Sequence, residues 1–202
     1  MNDYIHFYTF AVKNNKKIKA TAFILIGGQS KRFGSIKWKE KINGIMILDH
    51  IWNCCKNFRS RHVIGKSNFT NNDYDYIRDQ LIIQSPISGL YTALSHSKTE
   101  WNMILSCDLP LLRWSILEKI WEKADKKFDV IIPFVNNKPQ YTCALYSKKC
   151  LPVIKSSIDS GFYSMHNVVE QLKSSNIAFD NEIGFLNMNT RKDYKKIKVI
   201  AK

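Results

Sequence analysis

ATAFILIGGQSKRFGSIKW, running from Ala20 to Trp38, decides how the rest of the chain is read. Its first half is a short apolar run bounded by glycine, the pattern of a buried strand in a parallel sheet. The run breaks at Gly27-Gly28, and Ser30, Lys31, Arg32, Gly34 and Lys37 crowd into the turn-rich half that follows. Glycines after such a strand let backbone N–H groups approach a ligand, and Arg or Lys within reach adds charge-assisted hydrogen bonds. The combination describes a phosphate site. It is not a P-loop, because the G-x-x-x-x-G-K-[ST] spacing is absent, and it holds no G-x-G-x-x-G, which argues against a dinucleotide-binding dehydrogenase.

The 202 residues suffice for a well-filled core and are most simply one domain, residues 20–202, preceded by an extension over residues 1–19. The extension holds an aromatic patch, Tyr4 to Phe10, then a lysine-rich stretch read as a solvated linker. With 31 Lys+Arg against 17 Asp+Glu the net charge is +14, which predicts affinity for anions without choosing among nucleotide, phosphorylated cofactor and nucleic acid. The five cysteines form no C-x-x-C pair and are odd in number, so zinc and a disulfide framework are not expected. The five histidines show no i, i+4 pairing. The N-terminus lacks a basic segment followed by an apolar one, and no apolar run reaches membrane-spanning length, so a cytoplasmic protein is expected.

Outward from the glycine loop, Asn43-Gly44 is a turn signal, and Ile47, Leu48, Ile51, Trp52 and Cys55 form one face of a helix within 45–58. Residues 62–65 and 81–84 read as strands, 88–97 as a helix, and 101–107 as another apolar strand ending at Asp108-Leu109-Pro110. Ser115, with Glu118 three residues on, predicts a capping box at the start of the next helix. Strands follow at 129–134, 141–146 and 177–180, with helices at 148–156 and 164–173. A last helix is capped by Thr190, with Asp193 three residues later. Strands alternating with helices predict βαβ units and a mainly parallel sheet covered on both faces. Ligands of such sheets bind beyond the carboxyl ends of the strands, and the glycine loop and Asp108 both follow apolar strands.

A carboxylate at Asp108 either caps a turn or holds Mg²⁺, a hard cation commonly bound by one or two carboxylates plus substrate phosphates. Asn187 and Asn189 straddle Met188, so in an extended segment they point to one side. They are either turn formers or a pair able to bind a polar ligand.

In order, Leu25-Ile26-Gly27-Gly28-x-Ser30-x-Arg32-Phe33-Gly34-x-x-Lys37, Ser85-Pro86-Ile87-Ser88-Gly89-Leu90, Ser106-Cys107-Asp108-Leu109-Pro110, Pro139-Gln140 to Ala144-Leu145-Tyr146, and Phe185-Leu186-Asn187-Met188-Asn189-Thr190 resemble the molybdenum cofactor guanylyltransferases, the MobA family. The resemblance runs from about Ala20 to the C-terminus. It implies a Rossmann-like three-layer α/β/α nucleotidyltransferase domain with a mainly parallel, mixed sheet, and transfer of GMP from GTP to the terminal phosphate of molybdopterin with release of pyrophosphate. Under it, Leu25, Ile26, Gly27, Gly28, Ser30 and Gly89 would hold the nucleotide, Lys37 and Arg32 would neutralise its phosphates, and Asp108 would bind Mg²⁺. Asn187 and Asn189 would bind molybdopterin. Acceptor molybdoenzymes or their chaperones are implied as further partners, and no membrane.

The chain departs from the family at four points. Ile26 stands where the family has alanine, Ile36 where it has aspartate, and Gly65 where an asparagine often follows the second strand. An aspartate expected near Gln84-Ser85 is missing from a connection that reads as shortened. Two rival functions remain: a related transferase using CTP or a sugar-phosphate acceptor, and a catalytically degenerate nucleotide-binding protein whose charge docks nucleic acid or a partner enzyme. Against nucleic acid, no RNA-binding motif is visible, and the aromatics interleave with apolar strand and helix positions.

Overall fold

The computed structural model describes residues 17–27, 33–67, 69, 73–180 and 182–202. The aromatic patch of the N-terminal extension therefore lies outside the described residues, as do Gly28, Ser30 and Arg32 of the phosphate-loop reading.

The apolar run of the opening stretch is strand β1, Ile18–Leu25, which starts two residues before Ala20 and is buried from Ala20 onward. Side chains buried on both faces place it in the middle of a sheet. Parallel neighbours flank it: β4 (Phe58–Gly65) on one side and β6 (Trp101–Ser106) on the other, with Leu25 opposite both Ile64 and Ser106. Between β1 and β4 come a small hairpin, β2 (Lys41–Ile42) and β3 (Ile45–Met46), and the helix α1, Ile47–Cys54. The hairpin turns at Asn43-Gly44, both at positive φ, as the dipeptide predicts. Its second strand takes Ile45 and Met46 from the expected helix, which begins at Ile47.

Beyond β4 the sheet ends at β5, Tyr76–Arg78, paired in parallel with β4. This corrects the strand expected at 81–84. The Asp79 carboxylate accepts the N–H of Leu81, the chain leaves the ladder, and Ile82 is 94% exposed. Helix α2, Pro86–His96, then carries the chain back across β1 to β6. On that side lie β9 (Cys143–Ser147), antiparallel to β6, then β7 (Val130–Val135) and β10 (Ser174–Phe179), which are parallel to each other. A two-residue strand β8, Lys138–Pro139, turns back onto β7. The eight strands form one mixed, mainly parallel sheet.

Two apolar cores cover its faces. One holds Leu48 and Ile51 of α1, Ile116, Leu117 and Ile120 of α3 (Trp114–Trp121), and Ile197 of α6 (Arg191–Ile200). The other holds Ile87, Leu90 and Leu94 of α2, Ile154 of α4 (Leu151–Asp159), and Met165 and Val168 of α5 (Met165–Val169). The result is the three-layer α/β/α arrangement expected from the alternation of strands and helices.

Two expected caps divide. Thr190 and Asp193 form the reciprocal capping box that opens α6. The box expected at Ser115 does not form: Trp114, packed edge-on against Phe58 at 5.9 Å, is already helical, so Ser115 lies inside the first turn and Arg113 stands at the N-cap. Among the described residues, no helix is long and apolar enough to cross a membrane.

Candidate active site

From β1 the sheet grows first toward β4 and β5, and α2 then returns the chain to β6 on the opposite side. Such a reversal opens a crevice at the carboxyl ends of the strands on either side of the switch. Here those ends are Leu25, Gly65 and Ser106, joined across the top by Ile26 N–H to the Ile64 carbonyl at 2.8 Å and Cys107 N–H to the Leu25 carbonyl at 3.2 Å. The glycine loop and Asp108 thus emerge at one edge, as expected.

On the β1 side, Gly27 is exposed, and a Cβ placed there would meet nothing within 4 Å. Further along the loop, Ile36 is 48% exposed, and Lys37 opens a short 3-10 turn. The Lys37 ammonium donates to Asn189 Oδ1 at 2.9 Å, spanning 152 positions of chain.

On the β6 side, Asp108 sits in the turn after the strand, half-buried, with its Oδ1 buried and without a hydrogen-bond partner among the described residues. A buried carboxylate oxygen left unpaired is costly, and a donor or a cation would relieve that cost. The Asp108 carbonyl accepts the N–H of Met188 at 2.8 Å. Met188 is fully buried while Asn187 and Asn189 are exposed on either side of it. The apolar side chain anchors the segment and the two amides face outward, the alternation read from Asn-Met-Asn. Lys37, Asp108, Asn187 and Asn189 are thereby gathered in one place.

The thiol beside them is no nucleophile. Burial, and then the negative charge of Asp108, push Cys107 up to about 12, with Lys37 opposing weakly. Cys54 and Cys150 are likewise pushed up to about 12, in both cases mainly by burial. All five cysteines are free thiols.

Next to Asn187 a cleft of about 360 Å³ opens, lined by Val135, Lys138, Gln140, Glu182 and Phe185 among others. The β7–β8 hairpin forms one wall, turning at Asn136 and Asn137, both at positive φ. Glu182 belongs to the other wall. Burial pushes its carboxyl up, but the Gly184 N–H and the Arg113 guanidinium outweigh that and hold it below its usual 4.5. The cleft thus carries an ammonium, an amide and a fixed carboxylate around an apolar floor. Its residues come from two distant segments, each touched by a quoted motif, Pro139-Gln140 and Phe185-Leu186-Asn187, which the sequence did not join into one cleft.

The β4 side holds residues that sequence reading passed over. Asp79, 6% exposed, forms an ion pair with Lys66 at 2.8 Å and also accepts from Ser88 and Thr92 of α2. The connection read as lacking an aspartate near Gln84 thus brings a carboxylate to this corner from six residues upstream of Ser85. Gly89, read as a nucleotide-binding residue, is buried, and a Cβ there would come within 2.9 Å of Leu25 Cδ2. Its missing side chain lets α2 close onto the end of β1.

Gly65 and Ile26 are fitted to each other. A Cβ at Gly65 would come 2.9 Å from Ile26 Cγ1 and 3.2 Å from the Tyr76 hydroxyl. The Ile26 side chain therefore fills the space that a side chain at Gly65 would need. Gly65→Ala is expected to cost about 1–3 kcal/mol by overpacking, read as a lower melting temperature. In an Ile26→Ala background the cost should shrink by at least about 0.5 kcal/mol. Strict additivity of the two substitutions would refute the coupling.

The chain is similar to known proteins over most of its length. A family profile described as "MobA-like NTP transferase domain" matches residues 22–175. A "Probable molybdenum cofactor guanylyltransferase" of Flavobacterium johnsoniae is 30% identical over 184 residues, covering 84% of this chain and 97% of its own. A "Molybdenum cofactor guanylyltransferase" of Desulfosudis oleivorans is 26% identical, covering 90% and 96%. The crystal structure of a molybdopterin-guanine dinucleotide biosynthesis protein A from Archaeoglobus fulgidus superimposes with a TM-score of 0.77 at 20% identity, covering 89% and 97%, and it shares the fold.

Proposed function

The chain belongs to the MobA-like NTP transferase family and is a nucleotidyltransferase, and from that premise we propose that it transfers GMP from GTP to the terminal phosphate of molybdopterin, with Mg²⁺, releasing pyrophosphate. The observation that carries this reading is the buried Oδ1 of Asp108, unpartnered among the described residues, on a residue whose backbone holds the Asn187–Asn189 segment that Lys37 also bonds.

The donor set fits Mg²⁺. Among the described residues no group of three or more His, Cys, Asp or Glu gathers to hold a metal, and Mg²⁺ is typically bound by one or two carboxylates with phosphate oxygens and waters completing its shell. Asp108 would supply that carboxylate, and the bound ion would neutralise charge developing on the phosphates. Leu25, Ile26 and Gly27 form the floor against which the nucleotide lies, and Lys37 supplies a fixed positive charge to its phosphates. Gly28, Ser30 and Arg32 belong to the same proposed loop. Asn187 and Asn189 face the acceptor, whose flat pterin ring with its hydrogen-bonding edge suits the adjoining cleft.

The reaction needs no nucleophile from the protein. A phosphate oxygen of the acceptor attacks the α-phosphorus in line, the bond to the β-phosphate bridging oxygen breaks, and pyrophosphate leaves with its electron pair. Positioning two substrates at one switch point supplies most of the acceleration such chemistry requires.

The test is pyrophosphate release by the purified protein with molybdopterin and each of the four nucleoside triphosphates, with and without Mg²⁺. Turnover with GTP that depends on both molybdopterin and Mg²⁺ is expected. Preference for CTP, or turnover only with a sugar phosphate as acceptor, would replace this reading by the related transferase. Nucleotide binding without product would replace it by a degenerate binding protein.

A further inference from the structure

Every donor of the Lys66 ammonium is spent inside the protein. It donates to Asp79 Oδ2 at 2.8 Å, to the Leu81 carbonyl at 2.6 Å and to Ser88 Oγ at 3.0 Å. Asp79 is equally committed, accepting in addition from Ser88 Oγ at 2.5 Å, Thr92 Oγ1 at 3.1 Å and the Leu81 N–H at 3.1 Å. An ammonium with three bonds has no donor left for a ligand, so Lys66 does not act by touching one.

What the knot joins is informative. Lys66 follows the last residue of β4, Asp79 follows the last residue of β5, and Ser88 and Thr92 lie in the first two turns of α2. Two of these pieces, the end of β4 and the first turn of α2, abut the nucleotide loop directly, and the end of β5 is paired to the first of them. Gly65, next to Lys66, carries no side chain where Ile26 packs, and Gly89, next to Ser88, carries none where Leu25 packs. The backbone is closed at the same point, with Asp79 N–H on the Gly65 carbonyl at 2.8 Å. The knot thus sets where the ends of β4 and β5 and the first turn of α2 stand relative to Leu25–Gly27. A buried ion pair is a poor means of gaining stability, since apolar residues of like volume serve as well or better, whereas its directional bonds fix one arrangement.

We propose that Lys66 is a positioning residue for nucleotide binding: locked by Asp79, Leu81 and Ser88, it holds the β4–β5 edge and the start of α2 in register with the Leu25–Gly27 loop. The proposal rests on the nucleotidyltransferase reading of that loop. It assigns Lys66 to ground-state binding rather than to the chemical step, because the knot lies on the β4 side of β1 and Asp108 on the β6 side.

The test measures GTP dissociation constants and binding stoichiometry by calorimetry for the wild type, Lys66→Met, Lys66→Arg and Ser88→Ala, with a thermal melt of each. Lys66→Met is expected to weaken GTP binding about tenfold, the equivalent of about 1.4 kcal/mol, at unchanged stoichiometry. Lys66→Arg, which keeps the charge and several donors, should recover most of the loss. Ser88→Ala, which leaves the ion pair in place, should weaken binding about threefold, roughly half that free energy, and stay folded even if Lys66→Met does not. A purely structural role would instead lower the stoichiometry or the melting temperature and leave the dissociation constant of the folded fraction alone. That result, or unchanged affinity in folded Lys66→Met and Ser88→Ala, overturns the proposal. Wild-type protein that binds GTP but forms no product overturns the proposed reaction while leaving these affinity ratios as the measure of Lys66.

Discussion

Asp108→Ala is expected to lower turnover by about a thousandfold at saturating GTP and Mg²⁺ while leaving the fold intact or slightly more stable. The two halves of this result have different causes. Activity falls because the carboxylate at the end of β6 is the proposed ligand for the cation that offsets phosphate charge. Stability holds because Asp108 Oδ1 is buried with no partner among the described residues, and an unpaired buried polar atom costs about 1–3 kcal/mol. The decisive combination is a lost rate with an unchanged or higher melting temperature. A turnover within threefold of wild type at saturating Mg²⁺ would remove Asp108 from the site.

The second large effect is expected at Lys37. Lys37→Ala should reduce kcat/KM about a hundredfold, the scale set by removing one donor aimed at developing charge. Its ammonium bonds Asn189 Oδ1, so the substitution also releases the Asn187–Asn189 segment. Asn189→Ala separates the two contributions, because it frees the ammonium without deleting it. If the charge on Lys37 acts on phosphate, Asn189→Ala costs much less than Lys37→Ala, and the Lys37 deficit narrows in high salt as screening weakens the charge it lacks. Equal losses in the two variants would make Lys37 a tether for the segment rather than a phosphate ligand.

The sequence was most legible where burial alone determined structure. The runs around β1 and β6 are mostly apolar because both faces of those strands are covered, and their alternation with helices put the glycine loop and Asp108 at one edge. Thr190 and Asp193 were legible because a capping box is local. The run at 81–84 misled, since Leu81-Ile82-Ile83 is apolar yet Ile82 is almost fully exposed. One side chain, Asp79, captured the Leu81 N–H and cancelled the strand. Local spacing also misled at Ser115, where a tertiary contact between Trp114 and Phe58 shifted the start of the helix.

Within the site, Lys37, Asp108, Asn187 and Asn189 were legible as residue types at strand ends or in an alternating segment. The cleft lined by Lys138, Gln140 and Glu182 was not, because its walls come from segments some forty positions apart in the sequence. Lys66 and Asp79 were invisible for a similar reason. Each is an ordinary charged residue in a polar stretch, and only the return of α2 brings Ser88 and Thr92 onto them.

The bond from Lys37 to Asn189 also bears on how the molecule comes into being. It links the first fifth of the chain to the last tenth, across 152 positions, and the anchoring of Met188 on the Asp108 carbonyl adds a second late contact. During synthesis from the N-terminus, β1, β4 and β6 can pair long before residue 189 has emerged. Contacts of such high sequence separation carry the largest loop-closure entropy and tend to form late. The sheet is thus complete before its reactive edge is, and a chain interrupted before Asn187 would present the glycine loop with its lysine unpartnered by Asn189 and its acceptor wall unbuilt.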